Sequence, residues 1–111
     1  MPMLPVCRFY LPPQNGDSHF LSASAGECAE VRARFPAFVL ETSAAFYALL
    51  PDLVSGQCLS QYMAPVYRLW NARADTNHRY TSSVVVRDAM VAQGYVSEGY
   101  GPSGVAFCVP N

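Results

Sequence analysis

Three side chains able to make charged hydrogen bonds recur in the same order along the chain: Arg8, His19 and Glu41, then Arg68, His78 and Glu98. Aromatic residues accompany both sets, Phe9, Tyr10 and Phe20 in the first and Tyr67, Trp70 and Tyr80 in the second, and Ser22 is echoed by Thr81. Arg and Glu offer donors and acceptors to a hydroxyl-bearing ligand, and a ring offers a face to the C–H side of a sugar. One expectation is therefore that each set builds a small carbohydrate-binding pocket. The other is structural: a His opening a strand bonds loop carbonyls, and Arg–Glu pairs hold hairpins together. Trp70 stands where Tyr10 stands, each just before a polar loop, and beside Asn71, Arg73, Asp75 and Asn77 it reads either as a sugar-stacking platform or as a core or rim residue. The candidate ligand-binding residues are Tyr67, Arg68, Trp70, Asn71, Asp75, His78, Tyr80 and Glu98, with Arg8, Tyr10, His19 and Glu41 as their counterparts.

Other chemistries find less support. Ser, His and Asp are present, but no Gly-x-Ser-x-Gly elbow surrounds any Ser, and a Cys–His pair has no Cys to draw on if all four cysteines are bridged. A carboxylate pair drawn from Asp17, Asp75, Glu41 and Glu98 is the kind that arises by chance. A small hydrolase is thus the third choice, and the chain is expected not to be an enzyme. Two His residues about 60 positions apart make no metal site, Asn15-Gly16-Asp17 and Asp75-Thr76-Asn77 lack the alternating oxygens of a calcium loop, and no cofactor is expected. A net charge of −1 with no run of basic residues argues against nucleic acid. The longest apolar stretch, around Ala44 to Leu50, falls short of the roughly 18 residues of a membrane span.

The polar residues must be positioned by a repeat. Pro65-Val66-Tyr67-Arg68-Leu69-Trp70 echoes Pro5-Val6-Cys7-Arg8-Phe9-Tyr10 at an offset of 60, so the chain reads as one domain of two units, about 5–50 and 58–110. In the first, Val6 to Tyr10 is a β-prone strand behind a proline, Leu11 to Asp17 a hairpin loop whose Asn15-Gly16 favours a tight turn, and His19 to Ser22 the returning strand. Ser24 and Glu27 have capping-box spacing and open a helix from Ala25 to Phe35, with Cys28, Val31 and Phe35 on its core face, stopped by Pro36. Phe38 to Glu41 and Ala45 to Leu49, parted by Thr42-Ser43, read as a closing hairpin, and Pro51 to Gln57 as the linker. The second unit repeats the order with strands Val66 to Trp70 and His78 to Ser82, a helix capped by Ser82 or Ser83 and ended by Gly94, and strands Tyr95 to Glu98 and Val105 to Val109. Val84-Val85-Val86 favours a strand on its own. The helix is expected from its counterpart and from Val86, Ala89 and Met90 sharing a face. The predicted fold is α+β: two β-β-α-β-β units in a pseudo-twofold relation, with small antiparallel sheets and two short helices.

Four cysteines without Cys-x-x-Cys spacing read as two disulfides. Cys7 and Cys28 lie within the first unit and Cys58 and Cys108 bracket the second, which predicts Cys7–Cys28 and Cys58–Cys108, each worth about 3 to 4 kcal/mol of loop-closure entropy. An oxidising compartment follows, secreted or periplasmic. Met1-Pro2-Met3-Leu4 has neither the basic nor the long apolar region of a secretory signal, so for an exported protein the sequence reads as a mature fragment or as an excised domain with an added Met.

Pro65 to Asn71, Asn77 to Thr81, Arg87 to Tyr95, Glu98-Gly99 and Val105-Ala106-Phe107 together resemble a repeat of the form V-Y-R-F-Y-N … T-G-x-H-F-Y-T … E-x-x-x-L-x-x-x-G-W-x-x-E-G-x-A-F, similar to that of a bacterial domain family of unknown function appended to secreted hydrolases and cell-wall enzymes. The first unit departs from it at Cys7, Leu21 and Thr42, where the pattern has an aromatic, Tyr and Gly. The resemblance implies an extracellular accessory module. The expected function is non-catalytic recognition of a cell-wall or other polysaccharide beside an adjoining catalytic domain, and the alternative is a structural or protein-interaction appendage without a glycan ligand.

Overall fold

The computed structural model describes residues 3–111. Two antiparallel sheets and two helices follow one another as β1 (Leu4–Leu11), a single 3-10 turn (Pro13–Asn15), β2 (Ser18–Ser22), α1 (Ala25–Arg34), β3 (Val39–Ala48), β4 (Met63–Trp70), β5 (His78–Thr81), α2 (Val84–Ala92), β6 (Val96–Glu98) and β7 (Val105–Pro110). The fold is α+β, and both predicted disulfides, Cys7–Cys28 and Cys58–Cys108, are formed. None of its helices is long and apolar enough to cross a membrane, among the described residues.

The first sheet has the order β2-β1-β3. In the second, β4 is the central strand, with β5 on one edge and β6 then β7 along the other. One expectation fails here. The hairpin predicted from Phe38 to Leu49 is a single ten-residue strand, β3, which runs past the whole length of β1 with register shifts near Arg8. No Gly or Pro interrupts Val39 to Ala48, so Thr42-Ser43 does not turn the chain, and a bulge absorbs the mismatch. The order β-β-α-β-β therefore holds in the second half only, where the segment between Gly99 and Gly104 makes a real break between β6 and β7. A Cβ on Gly99 would collide with the backbone of Gly104 and Val105, and its φ of 142° suits Gly alone.

Both helices start where capping predicts. Ser24 Oγ accepts from Glu27 N–H at 3.1 Å and Ser83 Oγ from Val86 N–H at 3.2 Å. The reciprocal half of the predicted capping box is missing, because Ser22 Oγ takes the Ser24 N–H and the Glu27 carboxylate is used elsewhere. In place of the tight Asn15-Gly16 turn, the 3-10 turn leads into Gly16 and Asp17, both at positive φ. Helix α2 differs more from expectation. It buries none of its residues, and Val84, Val85 and Val86 are 52, 75 and 46 % exposed. Arg87, not the Val86–Ala89–Met90 face, ties α2 down, donating from Nε to Ser103 O at 2.8 Å with its guanidinium 5.9 Å from the Tyr67 ring.

Alternation along β1 lets it serve two cores. Cys7, Phe9 and Leu11 pack with Phe20 and Val31 beneath α1, while Val6 packs with Ala23, Ala48, Ala106 and Phe107, a cluster drawn from both halves. The halves are also joined by polar contacts. Leu49 and Cys108 exchange backbone hydrogen bonds at 3.0 and 2.7 Å, and Ser18 Oγ accepts from His78 N–H at 3.1 Å. The buried Tyr80 hydroxyl donates to Leu21 O at 3.1 Å and accepts from Leu21 N–H at 2.7 Å.

Candidate functional site

The two Arg–His–Glu sets are built by the same registers. Tyr10 faces His19 and Trp70 faces His78 across the hairpins, two residues beyond Arg8 and Arg68 on the same faces of β1 and β4. On the other edge Arg68 faces Glu98, whereas the bulge sets Arg8 against Thr42, beside Glu41. In each set one carboxylate oxygen serves both partners. Glu41 Oε1 lies 3.0 Å from Arg8 Nε and 3.3 Å from His19 Nε2, and Glu98 Oε1 lies 3.3 Å from Arg68 Nε and 3.1 Å from His78 Nε2.

Their surroundings differ. The side chains of Arg8, His19 and Glu41 are 46, 51 and 33 % exposed, those of Arg68, His78 and Glu98 only 7, 8 and 30 %. The second set is covered by α1, which belongs to the other half of the chain. Glu27 on α1 meets Arg68 with two parallel hydrogen bonds of 3.0 Å, so the guanidinium is clamped between carboxylates from both halves, and it lies 4.7 Å from the centre of the Phe20 ring. Burial favours the neutral carboxyl at Glu27, but hydrogen bonding and charge from Arg68 outweigh it and hold the group below its ordinary value. Glu98 is likewise opposed by burial and brought below its ordinary value by His78 and then Arg68. Burial works against the charge of Arg68, and Glu27 reverses the balance to hold it above its ordinary value. Tyr80, beside this group, is pushed well up by burial.

A cleft of about 380 Å³ opens above this set. Its floor is Arg68, His78 and Glu98 with Trp70 and Thr76, and its opposite wall is Phe20 with Glu27, Glu30, Val31 and Arg34 of α1 and the Phe35 and Phe38 that follow it. Phe35 and Phe38 stack at 5.0 Å, and Glu30 and Arg34 pair at 3.0 Å along the rim. The loops before β2 and β5 meet at the cleft's end, where a Cβ on Gly16 would run into the Thr76 carbonyl. A second hollow, about 600 Å³ between α1 and β1, is lined mainly by apolar and small residues and gathers no comparable set of charged groups. Two atoms near the first cleft are buried without a hydrogen-bond partner, Arg68 Nε, out of line with Glu98 despite its closeness, and His78 Nδ1. Among the described residues no three His, Cys, Asp or Glu side chains are grouped to hold a metal ion.

Of the candidate residues, Arg68, Trp70, His78 and Glu98 line this one cleft. Arg8, His19 and Glu41 form the exposed cluster, with the Tyr10 ring 5.4 Å from His19 and its hydroxyl donating to Asp17 Oδ1 at 3.0 Å, which raises the phenol. Tyr67 faces the other side of β4, under Arg87. Asn71 ties the loop together: its Oδ1 accepts from Arg73 N–H at 3.3 Å and Asn77 N–H at 3.0 Å, and Nδ2 donates to Asp75 O at 2.9 Å. Asp75 pairs with Arg73 in solvent at 2.9 Å. Tyr80 bridges the halves. The expectation of one pocket per unit gives way to one cleft between them. Sequence reasoning did not single out Glu27, Glu30 and Arg34 as lining residues, reading Glu27 as part of a helix cap, although 27, 30, 31 and 34 have the spacing of a single helix face. It also placed Phe35 in the core, where the structure leaves it 46 % exposed.

A disulfide-braced α+β domain with a covered ionic cluster under an aromatic-walled cleft is thus the class of molecule in hand. Residues 2–105 match the family model described as "Domain of unknown function (DUF5648)", and the chain belongs to that family. No curated protein and no solved structure matches it.

Proposed function

We propose that the chain is a non-catalytic accessory module of a secreted bacterial protein, that its two halves descend from one repeat, and that its cleft holds a segment of cell-wall or other polysaccharide presented to an adjoining catalytic domain. The observation that carries this reading is the composition of the cleft: the rings of Trp70, Phe20, Phe35 and Phe38 beside part-buried charges paired with one another. Rings match the apolar face of a sugar, and charges already fixed by one another hydrogen-bond hydroxyls without having to be reordered. The two disulfides support export to an oxidising compartment. The test is a pull-down on soluble glycans and peptidoglycan. Binding is expected to fall at least about tenfold in Trp70→Ala while the melting temperature holds. If Trp70→Ala unfolds the chain instead, Trp70 is a packing residue and the reading loses its main support.

A second reading, a protein-interaction appendage, draws support from α2, on which Val84, Val85, Val86 and Val91 are all exposed. It requires that no glycan binds and that changes on α2, not in the cleft, abolish a partner contact.

A further inference from the structure

We infer that the cleft selects saccharides whose polar groups are hydroxyls or amines and rejects those bearing carboxylate, phosphate or sulfate. The inference rests on the saccharide reading above and adds the class of sugar.

The terminal nitrogens of Arg68 are already engaged and only its buried Nε lacks a partner, while Arg34 is paired along the rim. Arg68 gives both terminal nitrogens to Glu27 at 3.0 Å, and Arg34 gives its nearest nitrogen to Glu30 at 3.0 Å. An acidic sugar would have to take them from carboxylates already seated in good geometry. Three carboxylates, Glu27, Glu30 and Glu98, stand against these two arginines, so the lining is rich in acceptors and carries net negative charge. Glu27 and Glu98 are both held below their ordinary values, so the lining is ionised at neutral pH.

His78 adds a separate observation. Its side chain is more than nine-tenths buried and lines the cleft, yet Nδ1 has no partner. Nε2 faces Glu98 Oε1 at 3.1 Å, so in the neutral ring the hydrogen belongs on Nε2 and Nδ1 is an unfilled acceptor. In the neutral ring what it lacks is a donor. A hydroxyl donates and accepts, an ammonium donates only, and either can complete such a lining. Carboxylate, phosphate and sulfate only accept, and in the cleft they meet like charge. Among the cleft's other polar groups, the Thr76 hydroxyl is turned to Arg73 O at 3.2 Å, so it offers an anion little.

The test measures binding of the full chain to a soluble neutral β-glucan, to chitosan oligosaccharide and to polygalacturonate, at about 20 and about 150 mM salt. At least one of the first two is expected to bind at least about tenfold tighter than polygalacturonate and to lose that binding in Trp70→Ala. Salt-insensitive binding of the glucan identifies hydroxyls as the recognised donors; chitosan binding that weakens with salt identifies amines. A reversal at the rim, Glu30→Arg, is a surface change that leaves packing intact and should raise polygalacturonate affinity severalfold. Polygalacturonate bound as tightly as the others, and lost in Trp70→Ala, overturns the selection while leaving the cleft a saccharide site. Failure of all three to bind, or binding unaffected by Trp70→Ala, removes the saccharide reading and the selection with it.

Discussion

Arg8, His19 and Glu41 share a carboxylate oxygen in the same way as Arg68, His78 and Glu98, and both sets sit beside an aromatic two residues along the central strand. Only the second is covered. The covering element is α1 from the other half, which brings Glu27 over β4 beside Phe20 of β2, while α2 packs loosely and covers no equivalent set. Side chains of one type at one register thus form a solvated surface cluster in one place and a part-buried cleft floor in another. What separates them is the packing of a distant segment, and that packing changes what each ion pair is worth, because burial strips away the water that makes surface pairs weak.

The largest expected difference follows from removing each arginine. Arg68→Ala leaves Glu27 and Glu98 facing each other under cover and should cost about 3 to 5 kcal/mol in urea unfolding, whereas Arg8→Ala should cost less than about 1 kcal/mol. Equal costs would erase the distinction between the sets. The interface hydroxyl comes next. Tyr80→Phe strands the Leu21 N–H at the join, leaving the carbonyl with Arg68 Nη1 at 3.4 Å, and should cost about 1 to 3 kcal/mol, while Tyr10→Phe, losing an exposed bond to Asp17, should change stability by no more than about 0.5 kcal/mol. A smaller effect appears in acid. Folding lowers Glu27 and Glu98 below their ordinary 4.5, so the stability they contribute is fully present above that value and is lost as pH falls through their folded values. Melting temperature should therefore decline from about pH 4.5 downward, and the decline should be shallower in Arg68→Ala, where the main cause of the lowering at Glu27 is gone. An unchanged acid slope in that variant would show that other carboxylates set it.

Much of the scaffold was legible in the sequence because its signals are local. Ser24 and Ser83 start helices, Pro36 and Gly94 end them, and the echo of Pro5 to Tyr10 in Pro65 to Trp70 pointed to the cysteine pairing that forms. β3 was misread because a strand's continuity depends on its neighbour: Thr42-Ser43 resembles a turn until β1 lies alongside to pair both flanks. The candidate site was half legible. Arg68, Trp70, His78 and Glu98 share one sheet and follow from its registers, but Glu27 reaches Arg68 across 41 positions, and nothing in local spacing distinguishes a capping Glu from one that crosses to another sheet. Tyr67 was misplaced by its aromatic type alone, since strand alternation already sets it opposite Arg68.

The covered cleft as the binding site is tested most directly by comparing Trp70→Ala with Tyr10→Ala, measuring glycan affinity and melting temperature on the same samples. Affinity should fall at least about tenfold in Trp70→Ala alone, with both variants melting near the parent. Equal loss in Tyr10→Ala, or loss in Trp70→Ala only through unfolding, would contradict it.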